Sequence, residues 1–416
     1  MHQRRGGVVE QLAVVHAHDE PATGGALGQR LPRAGEQLDA PTLADADAGT
    51  PLWVGYPNPE QARMLSPTAP ACIAQDDVEP LLLAHVPGDV ELGTEFVGLV
   101  AAADGARVRL RDVRTGALRT VHARYVVAAD GARSNGREAL GIPLIGPDNL
   151  LAGYTTLFRA PLWDVVGDRR HVIYSVANGG VFLPAGSDRW LFGAPDSHDV
   201  EKLIRLGAGV PDLPVLVERS RRFSSAAQVA ERWRSGPVFL AGDAAHRVTP
   251  RGGTGLNLAL HDGYDLGWRL AWVLRGWAGP DLLDRYEAER RPVAEYTVAR
   301  SADPRGSVRP PDTEVRADIG ARIAHVWDGD RSTLDLLAPG LTLFAAHGEP
   351  VPRLTTHAPV TVRHIDPIVA RALGAPTGTS LLVRSDGTPV RVISAAASRR
   401  VDPPGTVWHS PAGQVI

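Results

Sequence analysis

The sequence predicts an α/β protein: a parallel-type sheet, an antiparallel sheet inserted into it, and a small mixed C-terminal piece. Three observations carry this. "YVVAADGARSNGR" (residues 125–137) and "VFLAGDAAH" (238–246) are apolar strands that end abruptly at an aspartate, and the second leads into a long helical pattern, as buried parallel strands do. Between them, "GYTTLFRAPLW", "RRHVIYSVA" and "GGVFLPAGSDRWLFG" read as antiparallel strands. Further on, "GLTLFAA" and "TSLLVRSDGTPVRVI" supply strands for a C-terminal appendage.

Taken in order, the first segment is Gly/Pro/Asp-rich and weakly periodic. In "AQDDVEPLLLAHV" (74–86), acidic residues precede Val78, Leu81, Leu82 and Leu83, which marks a helix start. "EFVGLVAAADGARVRLRDV" and "LRTVHARYVVAADGA" alternate as strands with DG and TG turns. Ala185-Gly186-Ser187-Asp188 makes a hairpin turn between apolar arms. In "HDGYDLGWRLAWVLRG", Leu266, Leu270, Ala271, Val273 and Leu274 recur at helical spacing, with Gly276 as the stop. "RPVAEYTVARSADPRGSVRPPD" (291–312), with Pro304, Pro310 and Pro311, reads as a hinge.

The chain's 416 residues carry 44 Lys+Arg against 47 Asp+Glu, a formal charge of −3. That balance offers no footprint for nucleic acid or an anionic membrane. Lys202 is the sole lysine, and the arginine, alanine and glycine content matches a GC-rich genome better than an arginine-dependent function. Cys72 is the sole cysteine, so an intrachain disulfide, a CxxC pair and a cysteine zinc site are excluded. No metal site is expected. No apolar run reaches membrane-span length and "LAVV" is too short for a secretory core; a soluble, cytoplasmic protein is expected.

The chemistry concentrates in "GDAAHRVTPRGGTGLN" (242–257). A parallel strand delivers Asp243 to the carboxyl edge of a sheet, where open α/β folds bind ligands. An ionised carboxylate only accepts hydrogen bonds, which suits a polyol. Glycines let a flat ligand press on the backbone, and the following helix aims free N–H groups and a partial positive charge at it. A planar, anion-capable ring on a polyol chain, such as flavin, fits this. An Asp turn ahead of an amphipathic helix with incidental glycines would leave the same trace.

The motifs "QDDVEPLLL", "DGARSNGR", "GDAAHRVTPRGGTGLN", "YEAERRPVA" and "HVWDGDRSTLDL" stand in one order from about Gln75 to Asp386. In them the chain resembles the class A flavoprotein aromatic hydroxylases of the para-hydroxybenzoate hydroxylase fold, and most of all the polyketide hydroxylases of the tetracenomycin and aklavinone type. The resemblance implies an FAD-binding Rossmann-like domain (1–148 and 232–300), a substrate-binding β-sheet domain (149–231) and a C-terminal thioredoxin-like domain (301–416). It implies FAD as cofactor, NADPH or NADH as reductant, and an aromatic substrate hydroxylated with O₂ through a flavin C4a-hydroperoxide.

Residue by residue, it implies that Asp243 holds the ribityl chain and Gly242 admits the pyrophosphate side. Pro250 and the backbone from Gly252 and Gly253 through Gly255 and Leu256 to Asn257 would face the flavin ring. Asp130 and Gly131 would touch FAD and the reductant, Arg137 would anchor their loop, and Gln75 would contact the flavin side. Gln75 and Arg137 also fit a reading as residues that brace their own segments. His171 and Tyr174 are the catalytic-base candidates by sequence, with His246 read as structural. Trp163, Tyr174, Phe182, Trp190 and Phe192 give the inserted sheet aromatic faces, of which most are expected in its core and one or two against substrate. The C-terminal piece, lacking CxxC, is read as packing or a homodimer contact.

The sequence departs from that family in two places. No strand–GxGxxG–helix unit occurs, since "ATGGALGQ" (22–29) reads as a loop and "MHQRRGGVVEQL" resembles the helix after the first βαβ unit. A FAD site without its pyrophosphate cradle is therefore expected, and a catalytically impaired flavoprotein remnant is a second reading. Baeyer–Villiger oxidation is a third. Gly136 stands where a branched apolar residue is usual.

Overall fold

The computed structural model describes residues 13–16, 36–53, 64–68, 70–102, 104–177, 180–195, 199–306, 321–394 and 399–400. "MHQRRGGVVEQL", "ATGGALGQ", Pro310 and Pro311 lie outside the described residues. The chain divides into two compact units. One comprises Met1–Pro59, Thr68–Leu260 and Val293–Glu314; the other Glu60–Pro67, His261–Pro292 and Val315–Ile416.

The principal strands of the first unit are β1 (Glu36–Ala40), β2 (Thr50–Trp53), β3 (Thr94–Ala102), β4 (Gly105–Asp112), β5 (Leu118–Ala123), β6 (Val126–Ala128), β7 (Leu151–Arg159), β8 (Ile173–Val176), β9 (Val181–Pro184), β10 (Arg189–Ala194), β11 (Leu216–Ser225), β12 (Arg234–Ser235) and β13 (Val238–Leu240). The helices α1 (Gln75–Ala84), α2 (Asn135–Ala139), α3 (Leu162–Val166) and α4 (Val200–Ala208) fall among them, and α5 (Gly255–Leu274) and α6 (Arg285–Ala302) follow.

The inserted sheet has seven strands in the order β11-β7-β10-β9-β8-β1-β2. Its neighbours pair antiparallel except β8 and β1, which run parallel with Ser175 opposite Asp39. β1 and β2 come from the segment whose sequence shows little periodicity; only Leu38 of "EQLDA" is committed to the core. The period-2 alternation of strands gives the sheet two unlike faces. Phe158, Tyr174, Phe182, Trp190 and Phe192 project to one face and pack with Leu162 and Trp163 of α3 and Ile204 and Ala208 of α4. Trp163, at 9% exposed, is the most open of the five aromatic residues the sequence offered as a substrate wall. All five are therefore core. Burying each ring contributes roughly 1.5–3 kcal/mol, and the sheet spends its aromatics on attaching α3 and α4. The other face carries Thr155, Leu157, Ile173, Ser175, Val181, Leu183, Leu191 and Gly193, most of them half-buried.

β6 and β13 pair in parallel, Val126 opposite Val238, with β12 antiparallel on the far side of β13. Val238, Phe239 and Leu240 are fully buried. β3, β4 and β5 form a separate meander. The hinge reading of residues 291–312 fails at its start. Helix α6 continues through Pro292 to Ala302, held in part by the Arg291–Glu287 pair one turn apart at 2.7 Å.

In the second unit, β14 (Leu341–Ala346), β15 (Val360–Ile365), β16 (Thr379–Val383) and β17 (Pro389–Ser394) order as β15-β14-β16-β17, with β14 and β15 parallel. Helix α7 (Pro367–Ala372) starts at Pro367, and Asp366 caps it by accepting from the Ile368 N–H at 2.7 Å. Phe344, Ile365, Leu381 and Val383 form the centre of its core. β14, β16 and β17 are the strands read in "GLTLFAA" and "TSLLVRSDGTPVRVI".

Candidate cofactor-binding site

Just past the end of strand β13 stands Gly242, whose φ of +59° excludes most side chains and whose missing Cβ would meet the Ala259 methyl of α5 at 3.2 Å. A glycine here lets the turn sit directly on the first turns of α5. Asp243 follows, half-buried, and hydrogen-bonds to no described residue. Burial pushes its carboxyl above the usual carboxylate range, and the neighbouring His246 and Arg247 only partly oppose this. His246 is fully buried with its ring 5.4 Å from Trp233. A half-buried carboxylate without partners is costly unless something else supplies donors.

The segment from Val248 to Gly255 is fastened to the end of α6. The Thr249 N–H donates to Ser301 Oγ at 3.1 Å, and the Thr249 hydroxyl donates to the Ser301 carbonyl at 2.6 Å. Arg251 reaches the same carbonyl at 3.3 Å, and Arg300 donates to the Thr254 hydroxyl at 2.6 Å. Gly252 and Gly253 both take positive φ in the loop so held. Helix α5 opens at Gly255, and the N–H groups of Gly255, Leu256 and Asn257 find no acceptor among the described residues. They are the unpaired donors of a helix start, with the partial positive charge that goes with them.

At the end of β6, the Asp130 carboxylate is already engaged. It accepts from the Ser134 hydroxyl and from the Gly136 N–H, the latter at 2.9 Å, while Ser134 Oγ accepts from the Arg137 N–H at 2.8 Å. The two side chains cap α2 together. Gly136 has a physical reason: an added Cβ would stand 2.6 Å from the Ala128 methyl, so a branched residue would lift α2 off β6. Gly131 turns the chain with φ +81°. Arg137 is buried and donates to the Ala132 carbonyl at 3.4 Å and the Ala244 carbonyl at 3.3 Å. It ties the Asp130 loop to the Asp243 turn, so the two strand-end aspartates share one edge.

Gln75 opens α1, donating to Glu79 at 2.6 Å. The start of α1 lies against the open face of the seven-stranded sheet, where Ala74 packs with Leu157 and Ala185 and Asp76 pairs with Arg189 at 2.7 Å. His171 and Tyr174 are core residues on the opposite face. The Tyr174 hydroxyl donates to the Arg169 carbonyl at 2.7 Å and accepts from the His171 N–H at 2.8 Å. Burial pushes Tyr174 up to about 12, with the His171 hydrogen bond and Arg170 opposing. A phenol so held has no open position for a substrate proton. Sequence reasoning missed Arg300 and Ser301, whose contacts with Thr249 and Thr254 span about fifty positions and leave no local pattern.

Fold and site together describe a nucleotide-binding-type α/β protein with an inserted, largely antiparallel sheet. The profile of the FAD binding domain family matches residues 17–301, more than half of the chain, and the chain belongs to that family. It is 40% identical over 285 residues to a putative polyketide hydroxylase of Streptomyces coelicolor, covering 64% of this chain and 45% of that protein. It is 37% identical over 314 residues to the tetracenomycin A2 monooxygenase-dioxygenase of Streptomyces glaucescens, covering 69% and 55%. The chain thus spans about half the length of the curated relatives it matches. Among solved structures, a ternary complex of aklavinone-11 hydroxylase with FAD and aklavinone superposes with a TM-score of 0.72 at 26% identity, covering 87% of this chain and 82% of that one. The flavin-dependent monooxygenase PieE shares the fold at a TM-score of 0.75 and 24% identity, covering 87% and 84%. No helix among the described residues is long and apolar enough to cross a membrane.

Proposed function

We propose that the protein is an FAD- and NAD(P)H-dependent monooxygenase that hydroxylates a phenolic or polyketide aromatic ring. The observation that carries the reading is Asp243: a half-buried carboxylate at a sheet edge, without a hydrogen bond among the described residues, packed in front of a helix whose first N–H groups find no acceptor among them. FAD fits this set. Its ribityl hydroxyls would donate to Asp243, and the pyrimidine edge of its ring would accept from the backbone of Gly255, Leu256 and Asn257. When bound and reduced by NADPH or NADH, FAD supplies the activation of O₂. The protein's own part is positional and electrostatic. The start of α5 stabilises negative charge on the ring, and Arg137 keeps the Asp130 loop against the Asp243 turn. The names and bound ligands of the relatives support an aromatic substrate.

The substrate wall on this reading is the open face of the seven-stranded sheet rather than its aromatic core. Ile173, Val181 and Leu183 form a half-buried apolar floor there, bordered by the start of α1. A flat ring laid on that floor keeps its polar substituents at the floor's edges.

The test is an FAD titration followed by flavin fluorescence, with the wild-type chain and with Asp243→Ala. Saturable binding that weakens at least tenfold in the variant supports the reading, as does NADPH or NADH oxidation stimulated by an aromatic ligand. Equal affinity in the two proteins would remove Asp243 from the cofactor site.

A further inference from the structure

We infer that Asp39, Ser175 and Gln37 form a polar clamp that reads a phenolic hydroxyl on the substrate. The inference rests on the aromatic-substrate reading above. Asp39 and Ser175 stand directly opposite each other in the parallel pairing of β1 and β8, so their side chains share one face at about the 4.8 Å spacing of neighbouring strands. That face is the open one, because Tyr174 and Leu38, the intervening residues, point into the aromatic core. Gln37 holds the pair in place. Its side-chain N–H groups donate to Asp39 Oδ1 at 2.9 Å and to Ser175 Oγ at 2.7 Å.

The remaining valences follow by counting. Gln37 has used both amide N–H groups, so Ser175 accepts from Gln37 and keeps its own O–H. Asp39 keeps Oδ2. No other described residue hydrogen-bonds to any of the three side chains. A free donor therefore stands next to a free anionic acceptor, both half-buried. Across β8 and β9, Ser175 faces Val181, and Val181 faces Gly193, whose added Cβ would meet nothing nearer than 3.9 Å. The clamp thus sits at the edge of the apolar floor formed by the half-buried residues of that face.

A phenolic hydroxyl satisfies both groups at once: it donates to Asp39 and accepts from Ser175. A methyl ether can only accept and would leave Asp39 facing a methyl group. A ring hydrogen satisfies neither. The clamp therefore selects a free hydroxyl over its ether, and fixes which edge of the flat ring points toward β1.

The test is calorimetric binding of 2-naphthol and 2-methoxynaphthalene to the FAD-loaded chain, with Asp39→Asn, Ser175→Ala and Arg221→Ala. The wild-type chain and Arg221→Ala, at the far end of the same row, are expected to bind 2-naphthol about tenfold tighter than the ether. Asp39→Asn and Ser175→Ala are expected to reduce that preference to within twofold, with unchanged melting temperature and unchanged FAD affinity. Binding of the two ligands with equal affinity by the wild-type chain overturns the clamp while leaving the aromatic-substrate reading standing. If neither ligand binds a chain that has taken up FAD, both fall. A preference that survives in both variants assigns the selection to other residues.

Discussion

Arg300, in the last turn of α6, donates to the hydroxyl of Thr254 at 2.6 Å. Thr254 is the residue before α5, and its carbonyl accepts from the Leu258 N–H at 2.9 Å, which makes it the N-cap. A threonine in that position ordinarily turns its hydroxyl onto the first N–H groups of its own helix. Here the hydroxyl is held by Arg300, and those N–H groups stay free. The guanidinium thus keeps open the donors that the cofactor reading requires. Replacing Arg300 by Ala should release Thr254 to cap α5. The expected outcome is FAD binding weakened by about tenfold with little loss of thermal stability, because the new cap offsets the lost contact. An unchanged FAD dissociation constant would show that the donors do not bind the cofactor.

Asp243 sets a second expectation, in pH. Burial raises its titration range, so the folded chain binds this proton more tightly than the unfolded chain does. The sign follows: the group favours folding at low pH and opposes it once the pH has risen through the raised range. Asp243→Asn should therefore melt at a higher temperature than wild type near neutral pH in the absence of FAD, with the gap closing on acidification. The same substitution should weaken FAD by about 10- to 100-fold, the effect of losing hydrogen bonds to a charged acceptor. Wild-type affinity should fall as the pH drops through the raised range, and the variant's should stay flat. A variant that is less stable than wild type at neutral pH would contradict the unpartnered charge.

The strands, turns and helix starts were legible wherever apolar periodicity is strong. β13, α1 and the β9–β10 hairpin all stand where "VFLAGDAAH", "AQDDVEPLLLAHV" and "AGSD" put them. Alternation also separated the two faces of the inserted sheet, but not which face is core. Trp190 and Phe192 could be assigned to α3 and α4 only once those helices were located. β1 was illegible because "EQLDA" has one core residue, and its pairing with β8 spans well over a hundred positions. Asp243 and Gly242 could be singled out because strand end, aspartate and glycine are adjacent in sequence. Gln37 and Arg300 could not, since their roles come from partners at the far end of the fold.

The "YEAERRP" stretch turns out to carry stability. Arg269, with no exposed surface, pairs with Asp265 at 2.9 Å and with Glu289 at 2.6 Å, and Arg384 joins Glu289 at 2.9 Å and also Asp386. Both guanidiniums lie near the Trp268 ring, at 4.6 and 5.1 Å from its centroid. Asp265, Glu289 and Asp386 approach within 4.8 Å of one another, as cation ligands would, but the arginines take up their charge. Burial works against the Glu289 and Asp386 carboxylates, and Arg384 more than reverses it, leaving both below their usual range. Their contribution is thus present above their ordinary pKa values of about 4 and lost as the pH falls below them. Arg269→Met should cost about 3–5 kcal/mol at neutral pH, since it strands the Asp265 carboxylate and leaves Glu289 to Arg384 alone, and wild type should lose most of that advantage in acid. Denaturant midpoints at pH 7 and pH 3 check both claims. A cost below 1 kcal/mol at pH 7 would mean the network is replaceable.

Tyr174 separates structural from catalytic work. Its hydroxyl bridges the Arg169 carbonyl and the His171 N–H from within the sheet's core. Tyr174→Phe removes the oxygen that both backbone groups share. The expected cost is about 1–3 kcal/mol of stability, read as a lower denaturant midpoint. Burial pushes the phenol up to about 12, so it stays protonated and is no acceptor for a substrate proton near neutral pH. The pH profile of aromatic-stimulated NADPH or NADH oxidation should therefore keep its shape in the variant, with kcat within a few-fold of wild type. If the variant keeps full stability but loses an inflection in that profile, Tyr174 is the proton acceptor after all, and its bonds to Arg169 and His171 must open during turnover.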